Sequence, residues 1–161
     1  MEISFSSGFQ PNLKLNIGNI NDHVATPRSL KRQIEIEFGK FYDPCPLHAN
    51  FNGLEGEWAD LNYINPPYSS IKPFIMKAVE EMGKGKSSLV LVPFRPSSKY
   101  WNEYVWPNVS RVLVFTDRIA FEGYTSGLPL PIVLLIFGNP KRTKIQKLNW
   151  PYVELVVNKK I

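Results

Sequence analysis

Asn65-Pro66-Pro67-Tyr68 is the stretch of this sequence whose residue types and order read most directly as chemistry. The side-chain oxygen of Asn65 and the main-chain carbonyl of Pro66 are two acceptors, suited to the two hydrogens of an exocyclic amine. On adenine such an amine is a poor nucleophile, because its lone pair delocalises into the ring. Two acceptors favour a pyramidal nitrogen and free the lone pair for attack. Two successive prolines fix the backbone so that the carbonyl points out of any ladder. Tyr68 offers a flat face for stacking the base, at ~1–3 kcal/mol. No acid, metal or covalent nucleophile is then required; positioning and charge complementarity supply the rate. The plainer alternative is a proline-rich turn with Tyr68 as a core aromatic. The strand-motif-helix context favours the site. In duplex DNA the base would have to be flipped out of its stack.

Three further segments carry candidates. Phe41-Tyr42-Asp43-Pro44-Cys45-Pro46 ends a short predicted strand with an acid, where a cofactor meets a sheet edge. Asp43 can bind a methionine ammonium, or it can cap its own turn. Cys45 reads as a small buried hydrophobe. In Asp22-His23-Val24-Ala25-Thr26-Pro27 a helix N-cap suffices; a functional reading sets the Ala25-Thr26 backbone against a cofactor carboxylate. In the stretch from Pro93 to Trp101, Arg95 and Lys99 alternate with aromatics and could track a phosphate backbone, as could Arg118 and the basic run 141–144. A solvated loop explains these equally well.

The elements that must position these residues follow from local pattern. Thr26 as N-cap and Pro27 at the first helical position open a helix with Leu30, Ile34 and Phe38 on one stripe, stopped by Gly39. Lys40 to Asp43 and Leu61 to Ile64 read as strands. Pro73 begins a second helix, with Ile75, Ala78, Val79 and Met82 on one face and Gly83 at its end. Ser87 to Val92 is an apolar run with the mark of a strand buried on both faces. Ser97 or Ser98 caps a third helix through Val105. Val109 to Phe115, Arg118 to Phe121 and Ile132 to Phe137 read as strands, and Val153 to Val157 as a weak last one. The alternation predicts an α/β three-layer sandwich with right-handed crossovers and a mixed sheet, antiparallel at its late end. Residues 1–22 read as an irregular arm before one domain, 23–161, with no separate target-recognition domain.

Composition bounds the rest. At 161 residues and 43% hydrophobic, the chain can bury a core and is too short for two full domains. The net charge of +5 suits a polyanionic partner. One cysteine and two widely separated histidines give neither a disulfide framework nor a metal cage. No stretch approaches the roughly 18 apolar residues of a membrane span, so a cytoplasmic protein is expected.

With those residues in view, the chain resembles the phage-type DNA N-6-adenine methyltransferase (Dam) family from about Asn21 to Gly138. The resemblance rests on an ordered set: Ala25-Thr26-Pro27, Glu37-Phe38-Gly39, Asp43-Pro44-Cys45, Asn52-Gly53-Leu54, Trp58, Asn65-Pro66-Pro67-Tyr68-Ser69, Leu91-Val92-Pro93, Trp101 and Arg118-Ile119-Ala120-Phe121. It implies a Rossmann-like methyltransferase fold, S-adenosylmethionine as donor, and adenine in DNA as target. It implies Asn65, Pro66 and Tyr68 at the target base, and Pro67 is the remaining catalytic candidate. Near the cofactor it implies Asp43; Ala25, Thr26, Pro27, Pro44, Cys45 and Asn65 are the other cofactor candidates. Arg95, Lys99 and Arg118 are the nucleic-acid candidates. A viral chain would work in the host cytoplasm. Asn52 stands where the family often has Asp, and no Gly-x-Gly turn follows Cys45; Glu55 and Glu57 are the acids nearest to a ribose-binding position. The competing readings are a catalytically silent DNA-binding module, methylation of cytosine N4 or of a glutamine amide, and a subunit, such as a homodimer, that borrows specificity from a partner chain.

Overall fold

The structure is a computed structural model that describes residues 22–122, 130–141 and 148–158. Almost all of the expected arm lies outside the described residues. Helix α1 spans Arg28–Phe38 and buries Leu30, Ile34 and Phe38, the stripe set by their spacing of four. Each such burial contributes about 1.5–3 kcal/mol. Gly39, at φ 101°, ends the helix in a conformation that a β-carbon would resist.

Strand β1 spans Leu61–Ile64, and helix α2 spans Ile71–Gly83 after a 3-10 turn at Tyr68–Ser70. Strand β2 spans Ser87–Pro93, with every residue buried. Strands β3, β4 and β5 span Arg111–Phe115, Ile132–Phe137 and Tyr152–Leu155. The sheet order is β1-β2-β4-β3-β5. Strand β1 pairs with β2 in parallel; β4 runs antiparallel to both β2 and β3, and β5 antiparallel to β3. Strands β1, β2 and β3 therefore point one way and share one carboxyl edge.

The sheet is covered on both faces, which makes three layers. Alternate residues of a strand point to opposite sides. Leu89, Leu91, Leu134 and Ile136 pack with α1, whereas Val90, Val92, Val133 and Leu135 pack with Phe74, Ile75 and Ala78 of α2 and with Trp101. The expected mixed α/β sheet with an antiparallel late end is thus observed.

Four local expectations are corrected. Thr26 is not the N-cap: Pro27 holds that position, at φ -53° and ψ 133°, and the Thr26 hydroxyl bonds the Tyr63 hydroxyl at 2.6 Å. The strand expected at Lys40 to Asp43 shrinks to one parallel bridge between Tyr42 and Asn62, because Pro44 and Pro46 prevent extension. Arg118 to Phe121 is not a strand. Ile119 and Phe121 are buried in alternation against the α1-side core, without a ladder partner among the described residues. The third helix does start after Ser98, whose carbonyl accepts the Asn102 amide at 3.1 Å while its hydroxyl donates to the Arg95 carbonyl; the helix beyond widens into a π-turn at Trp101–Val105, closed by Trp106 N–H to the Trp101 carbonyl at 2.9 Å. Helix α2 also begins two residues before Pro73, which the first turn tolerates.

Candidate active site

Asn65 leaves the carboxyl end of β1 and is only 9% exposed. Its Nδ2 donates to the Val24 carbonyl at 2.6 Å, which fixes the direction of the amide. The Oδ1 end then faces the task of accepting, and among the described residues nothing donates to it. The Asn65 main-chain carbonyl takes a hydrogen bond from His23 Nε2 at 2.8 Å. A carbonyl only accepts, so this contact places the imidazole proton on Nε2. Three residues on, Tyr68 N–H donates to the Asp22 carbonyl at 2.8 Å. The Asp22 carboxylate takes both the Ser69 amide, at 2.8 Å, and the Ser69 hydroxyl, at 2.6 Å. Residues 22–24 thus strap the whole tetrapeptide in place from outside the sheet.

Beside Asn65 lies a cavity of about 270 Å³. That is just below the roughly 300–1,000 Å³ common for small-molecule sites. Of the expected cofactor residues, Ala25, Thr26, Asp43, Cys45 and Asn65 line it, whereas Pro27 and Pro44 do not. Pro66, Pro67 and Tyr68 are also outside its lining. Tyr68 is half-buried and packs against both core clusters, so it serves the core as well as any stacking role.

Asp43 sits one residue past the Tyr42 bridge, and so at the same carboxyl edge as Asn65. Its Oδ1 accepts the Cys45 amide at 2.8 Å and its Oδ2 takes Lys31 Nζ at 3.2 Å. The turn-capping alternative is therefore real, and the carboxylate still faces the cavity. Burial first, and then the Asp43 charge, push the Cys45 thiol from 9.0 up to about 12. That is a buried thiol and not a poised nucleophile. Burial likewise pushes the Tyr63 phenol up.

The segment after this turn buttresses it. A β-carbon on Gly53 would lie 1.7 Å from the Pro44 carbonyl oxygen, so only glycine allows the two backbones to meet. The Gly53 carbonyl is tied by Trp58 Nε1 at 2.8 Å, and Asn52 Oδ1 accepts the Leu54 amide at 3.0 Å. Trp58 in turn stacks on Phe74 of α2. Glu55 and Glu57 remain exposed and outside the cavity.

Seven cavity residues were not singled out as site residues from the sequence: His23, Val24, Arg28, Lys31, Leu47, Tyr63 and Glu122. Lys31 and Tyr63 were visible only as a helix residue and a strand residue. Glu122 arrives through the hydrogen bond its main-chain N–H donates to the Ala25 carbonyl and through its 3.4 Å pair with Arg28. No local sequence signal announces either contact.

The nucleic-acid candidates stand around the same edge. Arg95 and Lys99 follow β2, and Arg118 follows β3, each beyond a carboxyl end. Lys99 is exposed and pairs with Glu103 at 3.6 Å; Arg118 is exposed and Arg95 half-buried. None of the three lines the cavity. Of the basic run 141–144, residues 142–144 lie outside the described residues. Among the described residues no group of His, Cys, Asp or Glu is placed to hold a metal, and no helix is long and apolar enough to cross a membrane.

Asn-Pro-Pro-Tyr is thus strapped at a strand's carboxyl end in a mixed α/β sheet, with a cavity beside it. The profile of the family described as DNA N-6-adenine-methyltransferase (Dam) matches residues 16–131, and the chain belongs to that family. No curated protein and no solved structure matches it.

Proposed function

We propose that this chain transfers a methyl group from S-adenosylmethionine to the exocyclic amine of adenine in DNA, on a Rossmann-like methyltransferase domain spanning 23–161. The observation that carries the reading is the Asn65 amide. Its nitrogen is committed to the Val24 carbonyl at 2.6 Å, which leaves the oxygen as the acceptor at the cavity wall.

The residues fit the donor by charge. Asp43 can take its ammonium while the Ala25-Thr26 backbone, at the start of α1, favours its carboxylate. When bound, S-adenosylmethionine supplies an electrophilic methyl group on a positively charged sulfur. The protein's own part is to hold the amine. Asn65 Oδ1 and the Pro66 carbonyl each accept one of its hydrogens, which turns the nitrogen lone pair outward. The strap from Asp22 to Val24 keeps both acceptors from swinging away. Arg95, Lys99 and Arg118, at the same edge, supply positive charge for the phosphate backbone, and the base reaches Asn65 by flipping.

Incubating the protein with labelled donor and duplex DNA, then digesting to nucleosides, tests the reading. Label in N6-methyl-2′-deoxyadenosine is expected. Label only in N4-methyl-2′-deoxycytidine would move the target to cytosine, and label in protein glutamine would remove DNA altogether. No transfer, with DNA still retained on a filter, would mark a silent DNA-binding module.

A further inference from the structure

Lys31 lies one helical turn into α1 and points its ammonium at the cavity wall, beside Asp43. The pair is 3.2 Å apart, with the lysine side chain 41% and the aspartate 18% exposed. Such a half-exposed pair adds little stability, about 0–1 kcal/mol. Its position is nonetheless closely set. The Lys31 ammonium is 5.9 Å from the centre of the Phe41 ring and 5.6 Å from that of Tyr63, and those two rings pack against each other at 5.1 Å. Asp43 is held from its other oxygen by the Cys45 amide at 2.8 Å. Two opposite charges are thus fixed side by side on the wall that also carries Asn65.

We infer that Lys31 and Asp43 together form the receptor for a free α-amino acid group, Lys31 taking its carboxylate beside the Ala25-Thr26 backbone and Asp43 its ammonium. This rests on the proposed use of S-adenosylmethionine, and it assigns that ligand's amino-acid end to a pair of side chains. Lysine has three donors and spends one on Asp43; the Asp43 carboxylate has lone pairs to spare. A zwitterion laid across the pair completes a ring of four alternating charges, so neither protein charge loses its partner. The aromatic walls keep the lysine stem from relaxing away, so little ordering remains to be done on binding. The alternative is that Lys31 only blocks Asp43 until a ligand's ammonium displaces it. The two readings differ in sign.

Calorimetry on the full chain with two ligands separates them: S-adenosylhomocysteine, which carries the amino-acid group, and 5′-methylthioadenosine, which lacks it. Lys31→Met is expected to weaken S-adenosylhomocysteine by about 10–100-fold, the loss of a charge-assisted hydrogen bond, and to leave methylthioadenosine unchanged. Lys31→Arg is expected to restore most of the difference. Thermal melting of both variants checks that each is folded; should Lys31→Met melt early, Lys31→Gln takes its place. Equal weakening of both ligands, or tighter S-adenosylhomocysteine binding by Lys31→Met, overturns the inference while the proposed donor stands. A wild-type protein that binds neither nucleoside overturns both.

Discussion

Asp22 grips Ser69 through both of its carboxylate oxygens, one on the amide at 2.8 Å and one on the hydroxyl at 2.6 Å, across 47 positions of sequence. Ser69 directly follows the Asn-Pro-Pro-Tyr tetrapeptide, so this contact locks its far end, as the Asn65 bond to Val24 locks its near end. The strap therefore acts on the reaction through the acceptors it holds still. Asp22→Ala is expected to lower the single-turnover methylation rate about tenfold, because small misplacements of reacting groups are costly. Donor affinity should stay close to wild type. The contact is exposed, so stability should fall by only about 1 kcal/mol, or about 2–4 °C in Tm. Asp22→Asn keeps an acceptor for the amide and should fall in between. Rapid-quench kinetics beside thermal melting reads both quantities, and an unchanged rate in Asp22→Ala would remove the positioning role.

Gly53 and Pro44 meet backbone to backbone, with no flexible side chain to yield. Gly53→Ala should therefore cost about 3 kcal/mol, at the upper end for overpacking, and should loosen the donor by shifting Pro44 and Asp43 together. Gly83→Ala, where a β-carbon meets open space, is the control and should be neutral or slightly stabilising. Urea midpoints of the two variants give the comparison. Equal midpoints would mean that the close approach does not constrain the turn.

Cys45 ties stability to pH. Its thiol is raised from 9.0 to about 12 in the folded protein, by burial and then by the Asp43 charge. The unfolded chain therefore releases this proton first as pH rises. The contribution is fully present below about pH 9 and is lost between there and about pH 12. Stability of the wild type should decline more steeply over that window than stability of Cys45→Ala. At pH 8, alkylation of Cys45 by iodoacetamide should be slow, and slower still with S-adenosylhomocysteine present, since Cys45 lines the cavity. Rapid alkylation at pH 8 would contradict the burial.

Local order carried much of the architecture. The spacing of Leu30, Ile34 and Phe38 marked one buried face, and the apolar run at Ser87 marked a central strand, because periodicity and burial have the same cause. Asn65 and Asp43 were visible as candidates because each follows a strand at a sheet's carboxyl edge. What stayed hidden depends on contacts distant in sequence. Thr26 has the residue type of a helix cap, yet Tyr63 competes for its hydroxyl from 37 positions away. Ile119 and Phe121 alternate like a strand, but their burial comes from lying against a core, where alternation without a ladder looks the same. The strap at Asp22 and the pair at Lys31 join segments that nothing local connects. Tyr68 was expected at the base; its packing against both core clusters, set by residues distant in sequence, was not legible there.

The central claim is that the Asn65 side-chain oxygen holds the amine that is methylated. The most direct measurement is the single-turnover rate of methyl transfer to adenine in DNA by Asn65→Ala, at saturating donor and DNA. A rate lower by about 10²–10³, the usual cost of removing one preorganised hydrogen-bonding group, with donor and DNA affinities within a few-fold of wild type, is the expected result. A rate equal to that of the wild type would contradict the account.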